Sequence, residues 1–189
     1  MSSTRLPPRV SFASLTPNNL GNCQKNVHKI QTHLATGTVR KLNSVLFPIK
    51  YSEKFYNDIL QPELEDFCKL VYYNDVPVGT FCCRIETSGG QMKLYVMTMG
   101  VLAPYRSRGL GSQCLDHIIR TAAAHQNPHL SAIFLHVQIS NPAAKTFYER
   151  NGFKELGVFE NYYKKLVPHD AWILEKEVTA GDVGEIDAA

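Results

Sequence analysis

The sequence predicts a mixed α/β layer fold (class α+β), in which helices flank a mostly antiparallel sheet. Three observations predict it: strand-like runs joined by turn residues in the middle of the chain, amphipathic helical segments before and after them, and two buried strands that each lead into a helix. The predicted order of elements is β-α-α-β-β-β-α-β-α-β-β. With 189 residues, of which 44% are hydrophobic, the chain can form one domain with its own core.

The first elements are a short strand and two helices. Residues 10–15 form a strand-like run, and the Thr-Pro pair at residues 16–17 is typical of a helix start with proline in the first turn. Apolar residues then recur at helical spacing from Val39 onward, and the Phe-Pro pair at residues 47–48 ends that helix. A second short helix is predicted over residues 53–60.

The middle of the chain has the pattern of consecutive strands. Residues 67–73 and 76–85 flank an Asn-Asp pair at residues 74–75, which is typical of a hairpin turn. A Ser-Gly-Gly turn at residues 88–90 then leads into a buried strand over residues 92–102, rich in apolar and β-prone side chains.

The second half alternates helices and strands. A helix is predicted over residues 109–125, and a buried strand over residues 132–139. The next helix covers residues 141–151 and ends at Gly152, a residue favoured just beyond helix ends. Strand-like runs follow at residues 153–159, 162–166 and 171–178. We expect a folded domain over residues 9–178, a flexible N-terminus at 1–8 and a disordered tail at 179–189.

Charge and cysteine content exclude several functional classes. A net charge of +3 is too small to require nucleic acid as a partner. The apolar stretches are too short to span a bilayer, and the first eight residues contain no apolar leader. Five cysteines without zinc-type spacing predict free thiols and no metal site. The expected location is the reducing cytoplasm, with the nucleus as a second location.

The sharpest local signal is the segment at residues 102–111, between a buried strand and an amphipathic helix. A helix N-terminus offers unpaired N–H groups and a positive dipole end, which suit a pyrophosphate. Gly109 and Gly111 allow the backbone to approach an anion, and Arg106 and Arg108 add positive charge. The alternative is an ordinary glycine-rich turn. We call residues 102–111 the phosphate loop.

Two motifs together resemble the GNAT acetyltransferase superfamily. They are the Arg-x-x-Gly-x-Gly run at residues 106–111 and the Asn-x-x-Ala-x-x-Phe-Tyr-x-x-x-Gly-Phe run at residues 141–153. A closer resemblance is to the NatE type of N-terminal acetyltransferase, which acts on Met followed by an apolar residue. It rests on residues 46–51, 94–100, 135–141 and 161–165, and it covers residues 10–178 except 21–37.

The resemblance implies acetyl-CoA as cosubstrate and a set of residues that bind it. Backbone N–H groups around residues 99–101 would polarise the thioester carbonyl where the sheet splays in this superfamily. The implied cofactor-binding residues are Met99, Gly100, Val101, Arg106, Ser107, Arg108, Gly109, Leu110, Gly111, Ser112, Asn141 and Tyr148.

The resemblance also implies three catalytic residues. His136 would act as a base through an ordered water that Tyr95 helps to hold, and parallel neighbouring strands would bring the two side chains to one site. Tyr148 would protonate the departing thiolate or orient the sulfur. Histidine suits this task because an α-amine, with a pKa near 8, needs only a modest base. The structural alternatives are a hydrogen-bonded core histidine and packed aromatic rings.

An apolar slot for an N-terminal methionine is the implied substrate site. Its residues are Phe47, Pro48, Ile49, Tyr51, Met97, Tyr162, Tyr163 and Leu166. Expected partners are nascent or mature protein N-termini, with a NatA-type complex and the ribosome as docking partners. Three alternatives stay open: additional lysine acetylation, a lysine or small-amine acetyltransferase on this fold, and a weakly active or non-catalytic docking subunit.

Residues 21–37 are an insertion relative to the family pattern. The segment is polar, with Asn, Gln, Lys and two His, and it either lengthens the first helix or loops out beside the peptide entrance. An unspliced intron is a further hypothesis, because deletion of residues 22–37 leaves a natural continuation. The sequence of the native transcript tests it: a spliced message without this stretch supports the hypothesis, and its presence there ends it.

Overall fold

The computed structural model of the protein describes residues 8–15 and 25–183, with side chains described from residue 34 onward in the second range. The strands are β1 Val10–Ser14, β2 Cys68–Tyr73, β3 Val76–Ser88, β4 Gln91–Val101, β5 Ala132–Gln138, β6 Lys154–Phe159 and β7 Ala171–Glu177. The helices are α1 Lys25–Leu46, α2 Glu53–Asp58, α3 Leu110–Ala124 and α4 Pro142–Arg150. Three short 3-10 helices lie at Pro62–Phe67, Ala103–Tyr105 and Ala180–Asp182.

The strands form one seven-stranded mixed sheet in the order β1-β2-β3-β4-β5-β7-β6. The β1–β2, β2–β3, β5–β7 and β6–β7 ladders are antiparallel, whereas the β4–β5 ladder is parallel. The predicted α+β class with a mostly antiparallel sheet is therefore confirmed. Both predicted hairpin turns are also observed. Asn74 and Asp75 have φ of 48° and 64°, and Gly89 and Gly90 have φ of 60° and 76°, the left-handed conformations that tight hairpins require.

Helix α1 includes most of the predicted insertion. Residues 25–37 form its first turns, so this part of the insertion lengthens the helix. Among its described side chains, the helix buries Val39 and Leu42 and leaves Leu34 exposed, so one face of this part packs on the core. The predicted helix start at residues 16–17 lies outside the described residues.

The prediction of a strand at residues 162–166 is wrong. Residues 160–170 form the loop between β6 and β7, which pair directly with each other. The backbone of this loop is held locally: the Asn161 N–H donates to Asp170 Oδ1 at 2.8 Å, and the Tyr163 N–H donates to the His169 carbonyl at 2.8 Å. The aromatic composition of this loop is typical of a strand, but its Tyr162 ring packs on His136 of β5 instead.

The chain divides into two compact units, and β3, β4 and α3 pass from one to the other. The first unit comprises the described residues of Met1–Cys82 and Thr98–Cys114, with Val39, Val71 and Phe81 fully buried. The second comprises those of Cys83–Met97 and Leu115–Ala189, with Ile133 and Leu174 in its core.

Four cysteines, Cys68, Cys82, Cys83 and Cys114, are free and buried, and the fifth lies outside the described residues. Among the described residues, no group of three or more His, Cys, Asp and Glu could hold a metal ion. No helix within the described ranges combines the length and hydrophobicity needed to cross a bilayer. Part of the stretch expected to be disordered is a capped 3-10 turn, in which Thr179 and Asp182 hydrogen-bond reciprocally.

Candidate active site

Tyr95 and His136 meet in the second unit because their strands run parallel. Tyr95 is in register with Phe134 of β5. His136 lies two residues further along, on the same face as Phe134, because side chains alternate along a strand. The Tyr95 hydroxyl lies 3.3 Å from His136 Nδ1. The structure thus brings the two predicted catalytic side chains together, while their roles stay a prediction.

Four aromatic rings surround the His136 imidazole. The Tyr162 ring stacks on it, with centroids 4.1 Å apart and an interplanar angle of 11°. Tyr95, Phe134 and Phe159 contact it edge-on at 5.5, 6.2 and 5.7 Å. The Tyr162 and Tyr95 hydroxyls are hydrogen-bonded to each other. We call Tyr95, Phe134, His136, Phe159 and Tyr162 the base cluster; the sequence analysis did not identify Phe134 and Phe159.

The surroundings of the base cluster favour uncharged forms of its titratable groups. Burial lowers the pKa of His136, and the nearby Glu86 carboxylate opposes this with a smaller effect. Burial, followed by the interaction with Tyr162, raises the pKa of Tyr95 well above its ordinary value. Burial also raises the pKa of Tyr163 to about 12. At neutral pH the imidazole is therefore a neutral base, and the Tyr95 hydroxyl keeps its proton and can donate a hydrogen bond.

An ion pair on β3 adjoins this cluster. Arg84 places its guanidinium carbon 4.9 Å from the centre of the Tyr95 ring, and its Nε donates to Glu86 Oε2 at 2.7 Å. Arg84 and Glu86 are two residues apart and so share one face of their strand. In the sequence, Arg84 and Glu86 are visible as two charged residues at alternate positions of a strand. No motif marks this pair, so the sequence did not predict its place beside Tyr95.

The phosphate loop, in the first unit, has two left-handed residues next to a helix start, a turn that can expose backbone N–H groups to an anion. Gly109 has φ of +78° and Ser107 has φ of +59°, both in the left-handed region. Helix α3 begins immediately after this turn, at Leu110, so its first N–H groups lie at the end of the loop. Arg106, Ser107, Arg108, Gly109 and Ser112 are exposed, whereas the side chain of Leu110 is buried and only its backbone is available to a ligand.

Both arginines of the loop also make structural contacts. Arg106 Nε donates to the Val101 carbonyl at 2.9 Å and so fixes the loop to the end of β4. Arg108 Nη1 donates to the Tyr73 hydroxyl at 3.3 Å, with the guanidinium over the Tyr73 ring. Both side chains remain exposed, so their remaining N–H donors can reach a phosphate.

The end of β4 depends on two close approaches by glycine. A Cβ at Gly79 would lie 2.6 Å from the Gly100 carbonyl oxygen, so only glycine fits this position of β3. A Cβ at Gly100 would lie 3.0 Å from Phe47 Cζ. These approaches set the backbone of residues 99–101. A glycine inside a strand often marks a close backbone approach, and this signal could have identified Gly79.

The predicted substrate residues of the first unit lie where α1 ends. The Phe47 ring packs at Gly100 and meets Tyr51 edge-on, with centroids 6.1 Å apart. The Tyr51 ring in turn packs on the ring of Phe55, with centroids 4.5 Å apart. Phe55 was not among the predicted substrate residues. Pro48 is exposed and Ile49 is half-buried.

The predicted substrate residues of the second unit only partly cluster. Tyr163 donates to the His136 carbonyl at 3.4 Å, and its ring meets that of Tyr162 edge-on. Met97 lies two residues beyond Tyr95 on β4, on the same face, and is half-buried. Leu166 is half-buried in the loop at residues 160–170.

Tyr148 and Asn141 have visible structural contacts on α4. Tyr148 is buried and packs edge-on against Phe147 and Phe153, at 5.1 and 5.5 Å. The Asn141 side chain caps the helix by accepting from the Ala144 N–H at 3.2 Å. Their predicted roles towards acetyl-CoA stay predictions.

Comparisons with known proteins agree with this geometry. The profile of the Acetyltransferase (GNAT) family matches residues 36–153. The chain belongs to the GNAT acetyltransferase family. It is an acetyltransferase, and the donor that GNAT enzymes use is acetyl-CoA.

Individual members of the GNAT family extend the match over most of the chain. N-alpha-acetyltransferase 50 of Danio rerio is 37% identical over 184 residues, which cover 96% of this chain and 98% of the relative. The structure of Arabidopsis thaliana Naa50 in complex with the bisubstrate analogue CoA-Ac-MVNAL is 35% identical, with a TM-score of 0.69, and covers 88% of this chain and 97% of that one. The structure of the NatC complex bound to Gag peptide and CoA shows the same fold. The matched chain is 21% identical with a TM-score of 0.72, and the match covers 90% of this chain and 99% of that one.

Proposed function

We propose that the protein is a NatE-type enzyme that acetylates the α-amine of peptides beginning with Met followed by an apolar residue. The observation that carries the proposal is the His136 imidazole, stacked on Tyr162 and in contact with the Tyr95 hydroxyl. The similarity to Arabidopsis Naa50 supports the sequence preference, because the peptide of its bisubstrate analogue begins Met-Val.

The base cluster matches the chemistry of an α-amine. This amine has a pKa near 8, against about 10.4 for lysine, so it loses its proton to a weak base at neutral pH. His136 accepts that proton through a water at its imidazole that the Tyr95 hydroxyl helps to hold. The amine then attacks the thioester carbonyl directly: the N–C bond forms and the C–S bond breaks. The sulfur takes a proton from Tyr148, and the proton that the acylated nitrogen must still lose passes through water and restores the tyrosine.

Residues of the first unit hold the donor. The N–H groups at the start of α3, with the exposed donors of Arg106 and Arg108, bind the pyrophosphate. The backbone of residues 99–101 polarises the thioester carbonyl, and Gly79 and Gly100 fix the path of that backbone through close approaches that a side chain would prevent.

The N-terminal methionine binds an apolar slot. Phe47 and Ile49 are its walls in the first unit, with Pro48 at its rim. In the second unit, Tyr162 and Tyr163 offer aromatic rings with hydroxyl groups, which suit contacts with peptide backbone.

We further propose a cytoplasmic enzyme, with a nuclear pool, that meets nascent or mature protein N-termini beside a NatA-type complex and the ribosome. The resemblance to the NatE type supports this assignment. Reduced, buried cysteines are compatible with such a compartment.

Matched peptides test the acceptor. One set carries a free N-terminal Met followed by Val, Leu, Lys or Ser, and the other a blocked N-terminus with one internal lysine. We expect fast transfer from acetyl-CoA to the free Met-Val and Met-Leu peptides. Transfer only to the blocked peptides would assign the protein to the lysine class. Tight acetyl-CoA binding without transfer would favour the docking subunit.

A further inference from the structure

We propose that Phe159 is a positioning residue for acetyl transfer: its ring covers the outer side of His136 against bulk solvent. The proposal rests on the proposed function, in which His136 is the base. Phe159 is the last residue of β6 and lies outside the motifs on which the family resemblance depends.

Strand register explains how a residue of the edge strand reaches the base. His136 pairs with Ile173 of β7, which pairs with Gly157 of β6. Phe159 lies two residues beyond Gly157, on the same face, beside Ala171. Neither Gly157 nor Ala171 has a side chain large enough to block the way, so the Phe159 ring can extend across β7 to lie 5.7 Å from the imidazole and 5.5 Å from Tyr162.

Exposure distinguishes Phe159 from the other rings of the base cluster. Tyr95 and Phe134 are 7% and 9% exposed, so they form the inner side of the enclosure. Phe159 is 49% exposed, although one edge of its ring contacts the imidazole. A half-exposed aromatic ring in this position has water on one side and the base on the other. Its removal would open the imidazole to solvent, while the stack with Tyr162 would remain.

No charged group changes when Phe159 is replaced. Glu86, paired with Arg84, is the group whose charge favours the imidazolium, and it lies on β3. On β7, Glu175 is paired with Lys93 of β4 at 2.8 Å. Among the residues that the structure describes, the further titratable groups in contact with His136 are Tyr95, Tyr162 and Tyr163. A change in the titration of His136 in a Phe159 variant would therefore report on solvent access rather than on a lost charge.

The experiment compares three variants of the full chain. Phe159→Ala removes the ring, Phe159→Leu keeps an apolar cover, and Leu156→Ala is the control because Leu156 lies on the same strand, is 60% exposed and is outside the base cluster. The first measurement is the NMR titration of the His136 ring without substrate. The second is the pH dependence of kcat/KM with a Met-Val peptide.

We expect Phe159→Ala to raise the pKa of His136 towards the ordinary value of about 6.5 and to move the acidic limb of kcat/KM to higher pH. At a pH well below this limb, each unit of displacement lowers the rate by about tenfold. Phe159→Leu should fall between Phe159→Ala and the wild type, and Leu156→Ala should match the wild type.

Two results would overturn the proposal. One is an unchanged His136 titration in Phe159→Ala; the other is a rate that falls equally at every pH, which would make Phe159 a packing or peptide contact. Failure of the proposed function is distinguishable from either. In that case the wild type transfers acetyl to no free N-terminus, while the titration of His136 in the two Phe159 variants still decides whether the ring shields it.

Discussion

The phosphate loop and the base cluster are built by opposite means. In the loop, backbone conformation makes the site: two left-handed residues, Ser107 and Gly109, turn the chain into the start of α3, and the side chains around them stay exposed. In the base cluster, side chains make the site. Rings from β4, β5, β6 and the loop at residues 160–170 converge on one imidazole and leave it half-buried.

This difference determines how each region tolerates substitution. A site made of backbone fails when its conformation is lost, and any side chain at the glycine that permits this conformation adds strain. A site made of packed side chains can lose one ring and keep its geometry, but its pKa values change with each change in solvent access. Variants in the loop should therefore abolish binding, and variants around the base should change the pH dependence of catalysis.

The largest expected effect is that of Gly109→Asp. An aspartate is strained at a φ of +78°, and its carboxylate would repel the pyrophosphate, so we expect the Kd for acetyl-CoA to rise by about 100-fold or more. Isothermal titration calorimetry with acetyl-CoA measures it. Gly90→Asp is the matched control, because Gly90 has a φ of +76° in an exposed hairpin turn with no atom within 4 Å of a Cβ. Equal losses in both variants would show that the phosphate loop has no special role.

His136→Ala tests the other side of the comparison. We expect kcat at pH 7 to fall by about 100-fold, within the range for loss of a general base, with the Kd for acetyl-CoA nearly unchanged. Steady-state kinetics and calorimetry on one preparation provide both values. His125→Ala serves as control, because the His125 ring contacts the Pro128 carbonyl outside the cluster. An unchanged rate would remove His136 from the mechanism.

The phosphate loop could be predicted from sequence because its signal is local. Gly109 and Arg106 lie three residues apart, and the chain needs no distant partner to form the turn. Most strand and helix positions were predictable for the same reason, since alternation and turn residues such as Asn74-Asp75 are local patterns.

The base cluster could be predicted only where a motif marked it. Tyr95 and His136 came from the family resemblance and from the expected parallel pairing of their strands. Phe159 reaches the cluster through register across β5, β7 and β6, and Arg84 reaches it from β3 by contact with the Tyr95 ring; the sequence specifies neither. The loop at residues 160–170 was mistaken for a strand, because Tyr162 and Tyr163 have the composition of a strand and use their rings for packing instead.

Phe47→Ala extends the comparison to the predicted peptide slot, where the Phe47 ring packs against the backbone at Gly100. Loss of the ring removes apolar contact worth about 1.5–3 kcal/mol when fully made, so we expect KM for a Met-Val peptide to rise by about tenfold. The Kd for acetyl-CoA should stay nearly constant. Val45→Ala, at a 73% exposed position of the last turn of α1, is the control. Equal losses of peptide and acetyl-CoA affinity would identify Phe47 as a packing residue of the β4 end.

The smallest effect is expected for Glu86→Gln, and its sign is informative. The Glu86 carboxylate raises the pKa of His136 against the larger effect of burial, so its removal lowers that pKa further. The neutral fraction of the imidazole at pH 6 then increases, and kcat/KM there should rise by about twofold, with no change at pH 8. Glu177→Gln, an exposed carboxylate of β7, is the control. Glu86 also holds Arg84 beside Tyr95, so it could act on His136 directly or through the Tyr95 ring, and Arg84→Gln separates these two routes. If Arg84→Gln reproduces the gain in kcat/KM at pH 6, the effect acts through the Tyr95 ring. If only Glu86→Gln produces the gain, the carboxylate acts on the imidazole directly. A fall in rate at pH 6 in Glu86→Gln would contradict the assignment of His136 as a base that must be neutral to act.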